Sequence, residues 1–219
     1  MDAAVFDWDG TLVDTLGVLY RANVAVFEAF GIPFDESSYR RHYAPDWRVM
    51  YARLGIPPER LDEANERWIG HYQLGQAGAP VEPFPGTDDA LARLAAAGVG
   101  LGLVTAGHRD VVEPQLEATG LGRWIGVRVF GDDVPVHKPD PEPLRVALSG
   151  LGVGGRPSAA AYVGDAPDDM RMARAVGARA IGIASILGAP DDLQSAGAQE
   201  VAPSVAAWVE QLGLRERAG

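Results

Sequence analysis

The feature that most constrains this chain is a set of short apolar runs: Ala3–Phe6, Val99–Val104, Ile125–Phe130, Ala159–Val163 and Arg179–Ala184. Runs of this length read as strands buried on both faces. Helical patterns separate the later ones. Thr87-Asp-Asp opens a helix with Leu91 and Leu94 on one face, and Gly98 closes it; Asp168–Val176 carries Met170, Ala173 and Val176 at helical spacing before Gly177. Strand–helix alternation of this kind argues for an α/β fold with a doubly wound parallel sheet.

The alternation breaks once. The stretch between Phe6 and Val99 is far longer than a βα crossover needs. Leu16–Phe30 reads as a helix with Leu16, Leu19, Ala22, Val26, Phe27 and Phe30 on one face and Gly31 as its stop. Pro58–Tyr72 reads as a second, and Trp47–Leu54 as a shorter third, while the Gly- and Pro-rich Gly75–Gly86 reads as a linker. The expectation is a core of residues 1–15 and 81–219 carrying an inserted helical domain of residues 16–80, hinged at Val13–Thr15 and Ala79–Gly86.

Four places carry chemistry, each at a predicted strand end, where α/β sheets build their sites. Asp7 and Asp9 follow the first strand at spacing two, which aims both carboxylates the same way, and Gly10 lets the chain turn sharply. A strand followed by a plain Asp-Gly turn explains them equally well. Thr105 ends the second strand before Ala106 and Gly107; its hydroxyl and the following N–H groups suit a phosphate oxygen, or simply cap the next helix. Lys138 sits in the stiff Lys-Pro-Asp-Pro loop, a fixed ammonium able to neutralise a phosphoryl group, although most lysines are merely solvated. Asp165 leaves the fourth strand directly, with Asp168 and Asp169 in the next helical turn; carboxylates of this kind suit Mg²⁺, and Asp168 reads as helix-end stabilisation.

Together, Asp7-Trp-Asp-Gly-Thr-Leu12, Thr105, Lys138-Pro-Asp-Pro141 and Gly164-Asp-Ala-Pro-Asp-Asp169 resemble the four motifs of the haloacid dehalogenase superfamily, over nearly all of residues 3–185. The resemblance implies a Rossmann-like core, with the strand of Asp7 between those of Thr105 and Asp165, and an α-helical cap. It implies a Mg²⁺-dependent, phosphoglycolate phosphatase-like enzyme. Asp7 would be the nucleophile that forms an aspartyl-phosphate, and Asp9 the general acid and base. Asp7, the Asp9 backbone carbonyl and Asp165 would hold the metal, with Asp169 behind them, and Thr105, Ala106 and Lys138 would hold the phosphoryl group. The dehalogenase branch lacks the second aspartate, which is present here as Asp9. The phosphonate-cleaving branch needs a cap lysine, and residues 16–80 contain none; the mutase branch has a histidine where Leu19 stands. A mutase, a dehalogenase or a catalytically inactive binding module are the alternatives to the phosphatase.

Net charge −11 disfavours nucleic acid, and the absence of cysteine fits a cytoplasmic protein without disulfides or thiolate chemistry. No signal peptide or membrane span is expected, and the chain is expected to act as a monomer or homodimer on a small phosphorylated metabolite. Within the insertion, Arg41 and Arg48 stand beside aromatic residues and are candidates for contact with the leaving group, or solvated surface residues of the cap. Trp8, between the two acids, reads as packing; His108 and His137 flank the motifs without an assigned role.

Overall fold

A computed structural model of the protein describes residues 1–78 and 80–214. The chain divides into two compact units, Met1–Asp14 with Glu82–Gly219, and Thr15–Val81.

The first unit is built on β1 (Ala3–Phe6), with the second unit's α1 (Leu16–Ala29), α2 (Glu36–His42), α3 (Trp47–Arg53) and α4 (Leu61–Gly78) following it in the chain. The core resumes with α5 (Thr87–Ala96), β2 (Gly100–Val104), α6 (Arg109–Thr119), β3 (Val127–Val129) and α7 (Glu142–Gly150). It ends with β4 (Ala160–Gly164), α8 (Pro167–Val176), β5 (Arg179–Ile183), α9 (Pro190–Ala196), β6 (Glu200–Ala202) and α10 (Val205–Gln211). All pairings are parallel, in the order β3-β2-β1-β4-β5-β6. The chain winds outward from β1 to β3, then returns to the other side of β1, so the order reverses between β1 and β4. β1 and β4 are buried along their whole length because helices cover both faces of the sheet. Val5, Val104, Leu144, Tyr162 and Met170 belong to one continuous core cluster. Phe6 meets Trp208 of α10 edge-on, with ring centroids 6.4 Å apart.

One further strand, β6, and the helices α9 and α10 extend the sheet and its cover beyond what the apolar runs predict. β6 has three residues, too few for a periodic signal, although Ser204, whose side chain accepts from the Ala207 N–H, marks the start of α10. The chain leaving the core and the chain returning to it form a short antiparallel ladder. Val13 bridges Pro83, Asp14 N donates to Glu82 O at 3.0 Å, and Phe84 N donates to Leu12 O at 3.0 Å. The part of the expected linker from Glu82 to Phe84 is therefore bonded to β1's continuation. Ala79, at the start of the expected second hinge, lies outside the described residues.

In the inserted unit, α1 and α4 pack together through Val18, Ala22 and Tyr72, with Leu19 and Trp68 against them. The expected linker beginning at Gly75 is corrected here, since α4 continues to Gly78. A Cβ on Gly75 would come within 2.8 Å of Val18 Cγ1, so the missing side chain lets the two helices approach, and tertiary contact overrides glycine's weak helix propensity. The helix α2 was also unforeseen. Asp35 caps it, accepting from the Ser38 N–H at 2.7 Å, and Tyr39 is its buried anchor. Among the described residues, no helix is long and apolar enough to cross a membrane.

Candidate active site

The site is assembled at the C-terminal ends of the central strands. β1 delivers Asp7, whose N–H donates to Val163 O at 2.9 Å, so the ladder with β4 runs one residue beyond the strand and holds the backbone at this point. Thr105 continues β2, its N–H bonded to Val129 O at 3.0 Å. Its hydroxyl accepts from the Gly107 N–H at 3.0 Å, which leaves the hydroxyl proton to donate. Ala106 follows in the same turn, and the turn is backed by a bond from Gly131 N to Gly107 O at 2.9 Å. Asp165 leaves β4 and is 1% exposed.

Lys138 comes from the loop after β3 and is the only lysine in the sequence. Its Nζ lies 2.8 Å from Asp7 Oδ1 and 2.9 Å from Asp169 Oδ1, and 5.4 Å from the Tyr162 ring centroid. The solvated-lysine reading is thereby excluded. Asp169 is also bonded on its second oxygen, which accepts from the Ala166 N–H at 3.0 Å at the start of α8. Asp168 is turned away and pairs with Arg171 at 2.7 Å.

Carboxylate oxygens of Asp7, Asp165 and Asp169 all lie within 4.8 Å of one another. Asp9 is not in that group; it is half-buried, and a Cβ on Gly107 would stand 3.9 Å from its Oδ2. Burial pushes the Asp7 carboxyl up to about 7 against the pull of the Lys138 ammonium, and the Asp169 and Asp9 charges add to the rise. Burial, then the charges of Asp7 and Asp169, hold Asp165 well above the ordinary carboxylate range. Burial disfavours the Lys138 ammonium, but Asp169 and Asp7 outweigh it and raise its pKa. Three buried carboxylates thus share one buried cation. With Asp169 bonded on both oxygens, the oxygens of Asp7 and Asp165 are a hard donor set with a deficit of positive charge, which fits a divalent ion such as Mg²⁺.

Three side chains at the site were not singled out in the sequence. Tyr162 Oη lies 2.9 Å from Val104 O and 3.2 Å from Asp169 Oδ1. Thr11 Oγ1 reaches Asp165 Oδ1 at 3.5 Å, and Ser185 Oγ reaches Asp165 Oδ2 at 2.6 Å. Ser185 stands just past the end of β5, so the strand-end argument that selected Thr105 and Asp165 selects it too when applied to β5. Trp8 is fully buried and donates from Nε1 to Gln115 Oε1 at 2.7 Å, as packing of the turn between the two acids requires. In the inserted unit, Arg41 and Arg48 are exposed. Arg41 donates to Ser37 Oγ at 3.2 Å, and the Arg48 guanidinium lies 4.5 Å from the Trp47 ring centroid.

A family model described as haloacid dehalogenase-like hydrolase matches residues 4–183. The phosphoglycolate phosphatase of Rhodospirillum rubrum is 36% identical over 187 residues, covering 80% of this chain and 76% of its own length. A solved hydrolase from Pseudomonas syringae is 26% identical and superposes with a TM-score of 0.84 over 100% of both chains. CbbY from Rhodobacter sphaeroides, solved in complex with phosphate, is also 26% identical, with a TM-score of 0.77 over 94% of this chain and 95% of its own.

Proposed function

The chain belongs to the haloacid dehalogenase-like hydrolase family, and from that premise we propose that it is a Mg²⁺-dependent phosphatase that cleaves a small soluble phosphomonoester through an aspartyl-phosphate on Asp7. One observation carries the reading: the buried ammonium of Lys138 sits 2.8 Å from Asp7, beside Thr105 and Asp165, at the reversal point of the sheet. The phosphatase name of the Rhodospirillum rubrum relative and the phosphate bound by the Rhodobacter sphaeroides neighbour support phosphoryl chemistry.

Asp7 attacks phosphorus while the bond to the ester oxygen breaks, and Asp9 gives its proton to the departing oxygen. Asp9 then takes a proton from water as the water oxygen attacks the phosphoryl phosphorus. Inorganic phosphate leaves, Asp7 returns as a carboxylate, and Asp9 is again protonated. Thr105, the Ala106 N–H and Lys138 hold the phosphoryl oxygens, where hydrogen bonds to developing charge are worth most. Asp7, the Asp9 backbone carbonyl and Asp165 are the residues that would hold Mg²⁺, which when bound neutralises charge on the phosphoryl group. Asp169, with both oxygens already bonded, restrains Lys138 instead. Asp9 argues against the dehalogenase branch, and Leu19 against a mutase.

The test is phosphate release over a broad panel of phosphorylated metabolites. Wild type is expected to release phosphate with Mg²⁺ and not with EDTA, and Asp7→Asn is expected to fold and to release none. Beryllium fluoride with Mg²⁺ is expected to trap wild type as a mimic of the phosphorylated aspartate. Robust turnover by Asp7→Asn overturns the proposal.

A further inference from the structure

We propose that Ser185 is a positioning residue for the metal site, holding one oxygen of Asp165 so that the other is presented to the cation. The inference rests on the metal reading given above and concerns a loop outside the four motifs.

Asp165 is buried, and its two oxygens are held unequally. Oδ2 accepts from the Ser185 hydroxyl at 2.6 Å, the length of a strong bond to a carboxylate. Oδ1 faces Thr11 Oγ1 at 3.5 Å, at the limit of hydrogen bonding and readily exchanged for a cation. The Ser185 hydroxyl has one proton, and its own oxygen accepts from the Leu187 N–H at 2.9 Å. That bond orients the hydroxyl and directs its proton to Asp165.

The loop bearing Ser185 is itself fastened beside Asp165. Ser185 N donates to Gly188 O at 3.1 Å, closing a tight turn after β5. A Cβ on Gly188 would lie 2.3 Å from the Asp165 carbonyl oxygen, so only glycine allows the turn to approach so closely. Leu187 and Gly188 are buried, which anchors the turn in the core. Neighbouring strands therefore divide the work on one carboxylate: β4 supplies it, and the turn after β5 sets its rotamer. A carboxylate free to rotate loses part of its ordered geometry to entropy, and groups that orient metal ligands typically change metal affinity or activity by ~10–100-fold.

The test is direct Mn²⁺ binding to the full chain, followed by the loss of the free Mn²⁺ electron paramagnetic resonance signal, without substrate. Ser185→Ala is expected to raise the Mn²⁺ dissociation constant by ~10-fold or more, while the metal-free variant still unfolds cooperatively, at a melting temperature lowered by the loss of a partner to a buried carboxylate. Ser185→Thr, which keeps the hydroxyl, is expected to bind within about threefold of wild type, well short of the loss typical when an orienting group is removed. Equal binding by wild type and Ser185→Ala overturns the positioning role while leaving the phosphatase reading intact, and so does a Ser185→Thr variant as weak as Ser185→Ala. Failure of wild type itself to bind Mn²⁺ overturns the metal reading and the positioning role with it.

Discussion

Lys138 of the core and Arg48 of the inserted unit are both cations that the sequence marks out, and the protein holds them in opposite ways. Lys138 is 6% exposed, pinned between Asp7 and Asp169 and set above the Tyr162 ring. Arg48 is exposed and lies along the Trp47 ring on its own helix. A buried charge has its position dictated by its partners, because leaving it unpaired is costly. A solvated arginine keeps most of its rotamer freedom, and among the described residues nothing within its own unit assigns it a task. Placement in the core is thus itself an argument about chemistry, whereas in the inserted unit only a measurement on substrates is.

The comparison is broken most directly at Lys138. Lys138→Met leaves the Asp7 and Asp169 carboxylates buried without their cation. Phosphate release is expected to fall by ~10²–10³-fold, and denaturant unfolding without metal is expected to show a loss of about 3–5 kcal/mol. A variant within tenfold of wild type would mean that the buried ion cluster is structural alone.

Tyr162→Phe keeps the ring beneath Lys138 and removes the hydroxyl between Val104 O and Asp169. The expected result is roughly tenfold slower turnover, the lower end of the range for groups that orient a site, with a stability cost of about 1–3 kcal/mol from the bereft buried acceptor. Unchanged turnover alongside that stability loss would confine Tyr162 to packing.

On the other side of the comparison, Arg41→Ala and Arg48→Ala are expected to change stability by no more than about 0.5 kcal/mol. Their effect should appear as a several-fold fall in kcat/KM for the best metabolite of the panel, larger than the fall for p-nitrophenyl phosphate. Equal falls on both substrates, or none, remove these arginines from the specificity argument. The smallest effect is expected for Asp168→Asn, which breaks one helix-surface pair with Arg171 and should leave turnover and stability near wild type in both assays.

The sequence carried more of the site than of the sheet's periphery, and the reason is visible in particular residues. Asp7, Thr105 and Asp165 were legible because each follows a buried apolar run, so that local backbone periodicity puts each at a strand end. The edge strand β6 was not, because Glu200–Ala202 is too short for a pattern. The end of α4 was missed for a different reason: Gly75 reads as a helix breaker until Val18 is seen to need the space.

What the sequence determined by itself is which residues sit at strand ends and which stretch interrupts the alternation, since these follow from the period of the chain and from turn chemistry. What the tertiary structure alone decided is who meets whom. Strand order brings the β3 loop's Lys138 onto Asp7 and Asp169, sets Tyr162 between Val104 and Asp169, and turns Ser185 onto Asp165. These partners belong to different elements, and no local period encodes how those elements assemble. The same burial that makes each contact strong also makes it invisible until the sheet is built.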